Sequence, residues 1–447
     1  MIARLVMLWD RLRNSLWALP LLLVAAAAVL AVATLRLRIA AGHDPVWWLY
    51  SGTASAASGF LSSLLTAMIT MATLAISITM VVLALAAQSL GPRLISIFMS
   101  DVRTKLTLGL FLGTVAYLLI VLRTVVSDTD AVPQLAVTLG TVLVIACVMT
   151  LLFFVHHLAR SIVADTIIGR VGASLDAHIQ TLMPNDATKD ASEAPAAADI
   201  EAQGEPVIAD AGGYVQFIDH QAIVETAREA DASVILAFRP GQFVVAGETL
   251  AWIKPQPAAE PGRLQAIADA IVRGRERTAV QDIEYSIRQL VEIALRALSP
   301  GVNDPFTACA AIDRLTEALA LMIRRQPQQT VWRDEADAVR LRAPEAAFDG
   351  ILDAAFNQIR QAGATMPAVI IRLAERLGQL LHQADGAKAE AVLRHIRLVE
   401  QSGERGIADA ADREALQTRI AAALEARHPK PAARKTPKPA TTRKKST

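Results

Sequence analysis

Charge is absent from four long stretches of this chain: residues 16–35, 59–87, 106–122 and 132–155 contain no Asp, Glu, Lys, Arg or His. Ion-coupled carriers, proton relays and voltage sensors bury ionisable groups at membrane depth, so this absence argues against a proton-coupled transporter. Cysteine is nearly missing too. There are 2, Cys147 inside an apolar run and Cys309 in a helix-patterned segment; neither spacing suggests a metal site, and a disulfide between a membrane span and a cytoplasmic helix is implausible. No Gly-rich loop with Lys and Ser/Thr cradles phosphate, no His/Cys spacing suits a metal, and no nucleophile elbow is present. These absences predict a non-enzyme without cofactor or metal. The net charge of +1 predicts no nucleic-acid partner.

What is present is apolar. Hydrophobic residues make up 53% of the 447 and charged residues 19%, against about 25% charged in an ordinary soluble domain. A helix needs roughly 20 apolar residues to cross the hydrocarbon core. The four uncharged stretches qualify or nearly so, and predict four spans. The first follows Arg4, Arg11 and Arg13 like a signal peptide, but Arg36 and Arg38 stand where a cleavage site belongs, so it reads as a retained span.

Lys and Arg counts near the span ends set orientation. One side receives Arg4, Arg11, Arg13, Arg93, Arg103, Lys105, Arg160 and Arg170; the other receives Arg36, Arg38 and Arg123. Both termini are therefore expected in the cytoplasm. Trp47, Trp48 and Tyr50 fit the outer interface as anchors or as a ligand platform.

Span two carries a stripe of small residues. Gly52, Ala56, Gly59, Ser63, Thr66, Thr70, Thr73 and Ser77 are spaced alternately by four and three, a period that keeps one seam facing a partner. The stripe is either a packing seam, within the bundle or between protomers, or the lining of a pore. In the pore reading its hydroxyls face water, and Leu61, Leu64, Leu65, Met68 and Ile69 face lipid or protein. Span three adds Gly109-x-x-x-Gly113, a close-packing signal.

The fold class expected is mainly α: a polytopic four-span membrane unit, then a small β-containing module, then a helical cytoplasmic domain. Residues 1–182 form the membrane unit with a helical extension past His156 and His157. Residues 183–205 are an acidic Ala-rich linker, 206–255 the β-containing module, 256–427 the helical domain and 428–447 a basic disordered tail. The tail holds seven basic residues and no acid, so it suits anionic lipid headgroups. Apolar residues recur at helical spacing in Ile283–Ile287–Leu290–Leu298, Ile312–Leu315–Leu319–Met322, Ile351–Phe356–Ile359, Ile370–Leu373–Leu377, Val392–Ile396–Val399 and Leu416–Ile420–Leu424.

The densest polar constellation is Asp282, Glu284, Arg288 and Arg296 with the turn Ser299-Pro300-Gly301-Val302-Asn303-Asp304-Pro305-Phe306. Arg288 is placed to pair with Glu284 or Glu292 along a helix, and Asp304 with Pro305 suits a helix start. The alternative reading makes Arg288, Ser299, Asn303 and Asp304 a site for a small polar or anionic ligand.

Several motifs carry a resemblance. Ala67-Met-Ile-Thr through Ser77-Ile-Thr, Gln88-Ser-Leu-Gly-Pro-Arg-Leu and Leu108-Gly-x-Phe-x-Gly-Thr lie in the membrane unit. Gly213-Tyr-Val-Gln-x-Ile-Asp, Arg239-Pro-Gly-x-Phe-Val and Ala297-Leu-Ser-Pro-Gly-Val-Asn-Asp-Pro-Phe-Thr-Ala lie beyond it. Together they resemble the bacterial family known as domain of unknown function 2254, from Ser51 to about Val399. The resemblance implies an inner-membrane protein and transfers no catalytic residue. The stretch from Arg239 to Ile253 also resembles a hairpin of biotinyl/lipoyl carrier domains, but Lys254 lacks their flanking residues.

Three functions follow as expectations. The first is an oligomeric membrane-anchored scaffold or ligand sensor, with the lipid bilayer, a second copy of the chain and a cytoplasmic partner or ligand as its partners. The second is an ion or small-solute channel lined by the hydroxyl stripe of span two. An enzyme is the least supported.

Overall fold

The computed structural model describes residues 15–37, 49–90, 98–99, 101–127, 132–161, 163–184, 204–255 and 260–425. The basic tail, most of the acidic linker, and Arg4, Arg11, Arg13, Arg38, Trp47, Trp48 and Arg93 lie outside them.

The architecture is mainly helical. Four helices are long and apolar enough to cross a membrane: α1 (Ala18–Arg36), α2 (Ala54–Leu90), α3 (Val102–Ser127) and α4 (Gln134–Ser161). Their most apolar windows have mean hydropathies from 2.0 to 2.5. α2 to α4 run past the uncharged stretches because polar residues at their ends continue the helical hydrogen bonding. α1 crosses α3 closely at Gly109 and Gly113. A Cβ on Gly109 would lie 2.5 Å from the Leu23 side chain and 3.0 Å from the Pro20 backbone; one on Gly113 would lie 3.2 Å from the Leu23 carbonyl. Glycine at both positions lets the two backbones approach closely. Tyr117 joins three helices: its hydroxyl lies 3.1 Å from Thr34 Oγ1 of α1 and donates to the Ala136 carbonyl of α4 at 3.0 Å. The buried core of this unit gathers Leu61, Met68, Phe111, Tyr117, Leu118 and Val137.

α5 (Ala164–Leu182) follows α4 after a break in which Val163 is extended. Its buried face, Ile167, Ile168, Val171, Leu175 and Ile179, belongs to the core of the C-terminal helical domain. The sequence reading treats this helix as a mere extension of the membrane unit, but its amphipathic face has its partners in the other domain.

The β-containing part has two sheets. Its elements are β1 (Glu205–Ile208), β2 (Gly213–Ile218), α6 (His220–Glu229), β3 (Ser233–Leu236), β4 (Phe243–Val244), β5 (Thr249–Lys254), α7 (Pro261–Ala270) and β6 (Ile271–Gly274). The helical domain adds α8 (Ile283–Ala297), α9 (Pro305–Ile323), β7 (Val331–Arg333), β8 (Val339–Arg342), α10 (Phe348–Ala362), α11 (Pro367–Leu381), α12 (Gly386–Gly406) and α13 (Ala410–Glu425). One sheet runs β1-β5-β3-β8-β7, and the other β4-β2-β6.

Two expectations are corrected here. The β module does not end at residue 255: β6 completes the small sheet, and β8 joins the larger one parallel to β3. Strands of three or four residues are too short for alternation to register, and two Arg residues in Val339–Arg342 mask it. The carrier-like hairpin does not exist, because β4 pairs with β2 whereas β5 pairs with β1 and β3. The apolar positions read at helical spacing are buried in the helical core, except Leu424, which is exposed.

Candidate ligand cleft

The start of α8 is built from charged side chains of distant segments. Asp282 caps the helix, accepting from the Tyr285 amide at 3.3 Å, and its other oxygen takes two bonds from Arg277 at 2.9 and 2.6 Å. Burial pushes its carboxyl up, against the pull of Arg277. Gly241 makes this possible: its φ is +88°, and a Cβ there would collide with the Asp282 carboxylate. Glu284 accepts from Arg288 at 2.8 and 2.6 Å and from Arg239 at 3.0 Å. Burial alone would raise its pKa, but those bonds outweigh burial and hold it below the ordinary value. Arg239 sits in the loop between β3 and β4, so this network clamps the sheet region to α8.

Beside the clamp opens a cleft of two adjoining lobes that share Ile283, Gln328 and Ala346. The smaller, about 240 Å³, is lined by Thr181 and Leu182 of α5, by Ile218, His220 and Arg239, and by Trp332 of β7. The larger, about 540 Å³, takes in Met183, Met322, Phe348, Ile351, Lys388 and Arg394. The His220 ring stacks on Trp332 with centroids 4.2 Å apart and planes 9° from parallel. Burial drives the His220 pKa to about 4, only partly offset by Asp219, so the imidazole is neutral near pH 7. In the larger lobe Lys388 Nζ donates to the carbonyls of Met322, Ile323 and Arg325 at 3.1–3.3 Å, where α9 ends. Burial lowers its pKa.

The cleft thus offers apolar walls, one flat aromatic pair and amide groups, while Arg239 and Arg394 are paired with Glu284 and Asp353. Such a lining suits binding. Among the described residues no group of three or more His, Cys, Asp or Glu is placed to hold a metal ion.

The residues singled out in sequence fall into three places. Arg288 joins the clamp. Ser299, Asn303 and Asp304 lie at the other end of α8, about 16 Å away along the helix, so the structure does not unite them with Arg288. That turn is satisfied internally. Ser299 Oγ donates to the Arg296 carbonyl at 2.7 Å, Asn303 adopts φ +49°, and Asp304 accepts from the Phe306 and Thr307 amides at 3.1 Å and from the Thr307 hydroxyl at 2.6 Å. The α9 N-terminus is capped by its own carboxylate.

The α2 stripe is the third place. Gly59, Ser63, Thr66, Thr70, Thr73 and Ser77 are all exposed, while Leu61, Met68, Ala72 and Ala75 face the bundle. Ser63, Thr66, Thr70 and Thr73 donate to carbonyls four residues back, at 2.9–3.0 Å. Among the described residues the stripe is therefore not a packing seam within the protomer; the inward face carries Leu61 and Met68 alongside Ala57, Ala72 and Ala75. Ile69, expected beside Leu61 and Met68, is exposed. His157, at the end of α4, lies 2.7 Å from Asp101.

Sequence reasoning missed the cleft. Its walls come from α5, the sheets, α9, α10 and α12, and no local spacing reports such a meeting. The one local signal was Arg239-Pro240-Gly241, where a left-handed glycine marks a close backbone approach.

Four apolar helices joined to a large C-terminal domain with a cleft at its heart define a polytopic helical membrane protein. The chain belongs to the predicted membrane protein family DUF2254, whose sequence profile matches residues 13–379. It is 30% identical over 413 residues to uncharacterised proteins of Mycobacterium bovis (strain ATCC BAA-935 / AF2122/97) and Mycobacterium tuberculosis (strain ATCC 25618 / H37Rv), covering 90% of this chain and 79% of each of theirs. No solved structure matches.

Proposed function

We propose that this protein is an oligomeric ligand sensor of a bacterial inner membrane, with both termini inside the cell and a small molecule bound in the cleft. The observation that carries this reading is the position of Thr181, Leu182 and Met183. They line the cleft, and they end the helix that continues span four. A ligand seated there touches the sheets, the helical domain and α5 at once, so its binding energy biases how α5 sits against the membrane helices. The excess of Lys and Arg on one side of the spans supports the orientation. The outward stripe of α2 supports assembly with a second copy, because small residues let helix backbones approach.

The test is a thermal-stability screen of the full-length protein in nanodiscs against soluble metabolites. A compound that raises Tm in the wild type but not in Gln328→Trp supports the reading. A complete screen in which no compound raises Tm counts against it.

A second reading has its own observation. Because the hydroxyls of α2 point away from the protomer, several copies arranged around them would enclose a polar path. Ion flux across bilayers that changes on Thr66→Leu or Thr70→Leu would favour a channel, and flux absent from every oligomeric state would remove it.

A further inference from the structure

We propose that the turn between α8 and α9 is a lipid-contacting wedge, seating Val302 and Phe306 in the interfacial layer of the same membrane that holds α1–α4. Val302 of the turn is 54% exposed and Phe306, in the first turn of α9, 86%; both are large apolar side chains outside the spanning helices. The turn is not loose. The Val302 and Asn303 amides donate to the Ser299 carbonyl at 3.0 and 2.9 Å, and the Asp304 amide to the Ala297 carbonyl at 2.8 Å. The rigid turn holds both apolar side chains in fixed positions at the surface, where burial in lipid would be favourable.

The receiving surface follows from where the turn lies. α9 runs beside α5 in the same direction: Arg314 bonds Asp176, and Arg325 bonds the Gln180 and Met183 carbonyls at 3.3 and 2.8 Å. Going back from Arg314 to Phe306 moves about 12 Å toward the start of α5. That start is the membrane end of the domain. Arg170 lines one small cavity together with Leu16, Thr104 and Leu158, near the ends of α1, α3 and α4, and with Thr79 and Leu83 of α2. At the start of α5 and of α3, Val163 and Val102 are likewise exposed, by 49% and 57%. Arg103, exposed beside Val102, adds attraction for anionic headgroups. An aromatic ring at the interface is favourable, and its insertion fixes how closely the C-terminal domain approaches the bilayer.

The test uses full-length protein in nanodiscs containing anionic lipid. Spin labels are placed at Phe306→Cys or Val302→Cys in a Cys309→Ser background, with Val163→Cys and Glu335→Cys as references. Collision with oxygen, which concentrates in lipid, is compared with collision with a water-soluble nickel complex. Labels at both turn positions are expected to resemble Val163, with nickel access several-fold below Glu335. Nickel access equal to that at Glu335 overturns the proposal, and so does protection from both reagents, which would place the turn against a second protein surface.

Discussion

Arg314 of α9 reaches across to the Asp176 carboxylate of α5, passing directly over Gly172, where a Cβ would collide with the guanidinium chain. Three residues on two helices thereby fix the helix that continues the membrane unit to the body of the C-terminal domain.

Removing one partner leaves a part-buried charge unpaired, so Arg314→Met is expected to cost on the order of 2 kcal/mol. Gly172→Val should act in the same direction by displacing the guanidinium. Thermal unfolding of the full-length protein measures both. The double variant Arg314→Met with Asp176→Asn should recover part of the loss, and additive losses would show that the pair is not coupled.

Glycines in the membrane unit separate into two kinds. Gly109→Val forces a side chain into Leu23 and the Pro20 backbone and should destabilise by about 1–3 kcal/mol. Gly59 has nothing near it, so Gly59→Val should leave the protomer's stability unchanged. If α2 meets a second copy, Gly59→Val lowers the oligomer fraction measured by mass photometry; an unaltered oligomer shows that this seam is not the interface.

His220 sets a pH dependence. Its pKa falls from 6.5 unfolded to about 4 folded, so between these values the unfolded chain binds the extra proton. Stability from this group is full above pH 6.5 and is lost as pH falls toward 4, on the order of 3 kcal/mol in total. His220→Phe keeps a flat ring on Trp332 and should flatten that part of the stability–pH curve. A slope identical to wild type would show that other groups carry it.

Asp304 is a cap, and Asp304→Ala is expected to cost about 1 kcal/mol of stability. Its effect on any ligand that stabilises the protein through the cleft should be nil. Loss of ligand response with normal folding would return the turn to consideration as a binding site.

Much of the fold was legible because long periods leave strong signals. Uncharged runs marked the four membrane helices, and the spacing of Ile283, Ile287, Leu290 and Leu298 marked the buried face of α8. The stripe on α2 was legible as a seam, but sequence periodicity cannot say on which side of a helix the rest of the bundle lies. Leu61, Met68 and Ala72 decide that by packing inward. The clamp was half legible: Asp282, Glu284 and Arg288 stood out, yet Arg239 approaches from 45 residues away. Likewise His220 and Trp332, stacked in the structure, share no local pattern.

The central claim is that the cleft and the membrane helices are coupled through α5. Gln328 lines both lobes and makes no hydrogen bond among the described residues, so Gln328→Trp fills the cleft without breaking the clamp. Hydrogen exchange of this variant against wild type, both full length in nanodiscs, is the most direct measurement. The account predicts changed protection along residues 164–184 that reaches the end of α4 near Ser161. Changes confined to the cleft walls, with α5 and α4 exchanging as in wild type, would contradict it.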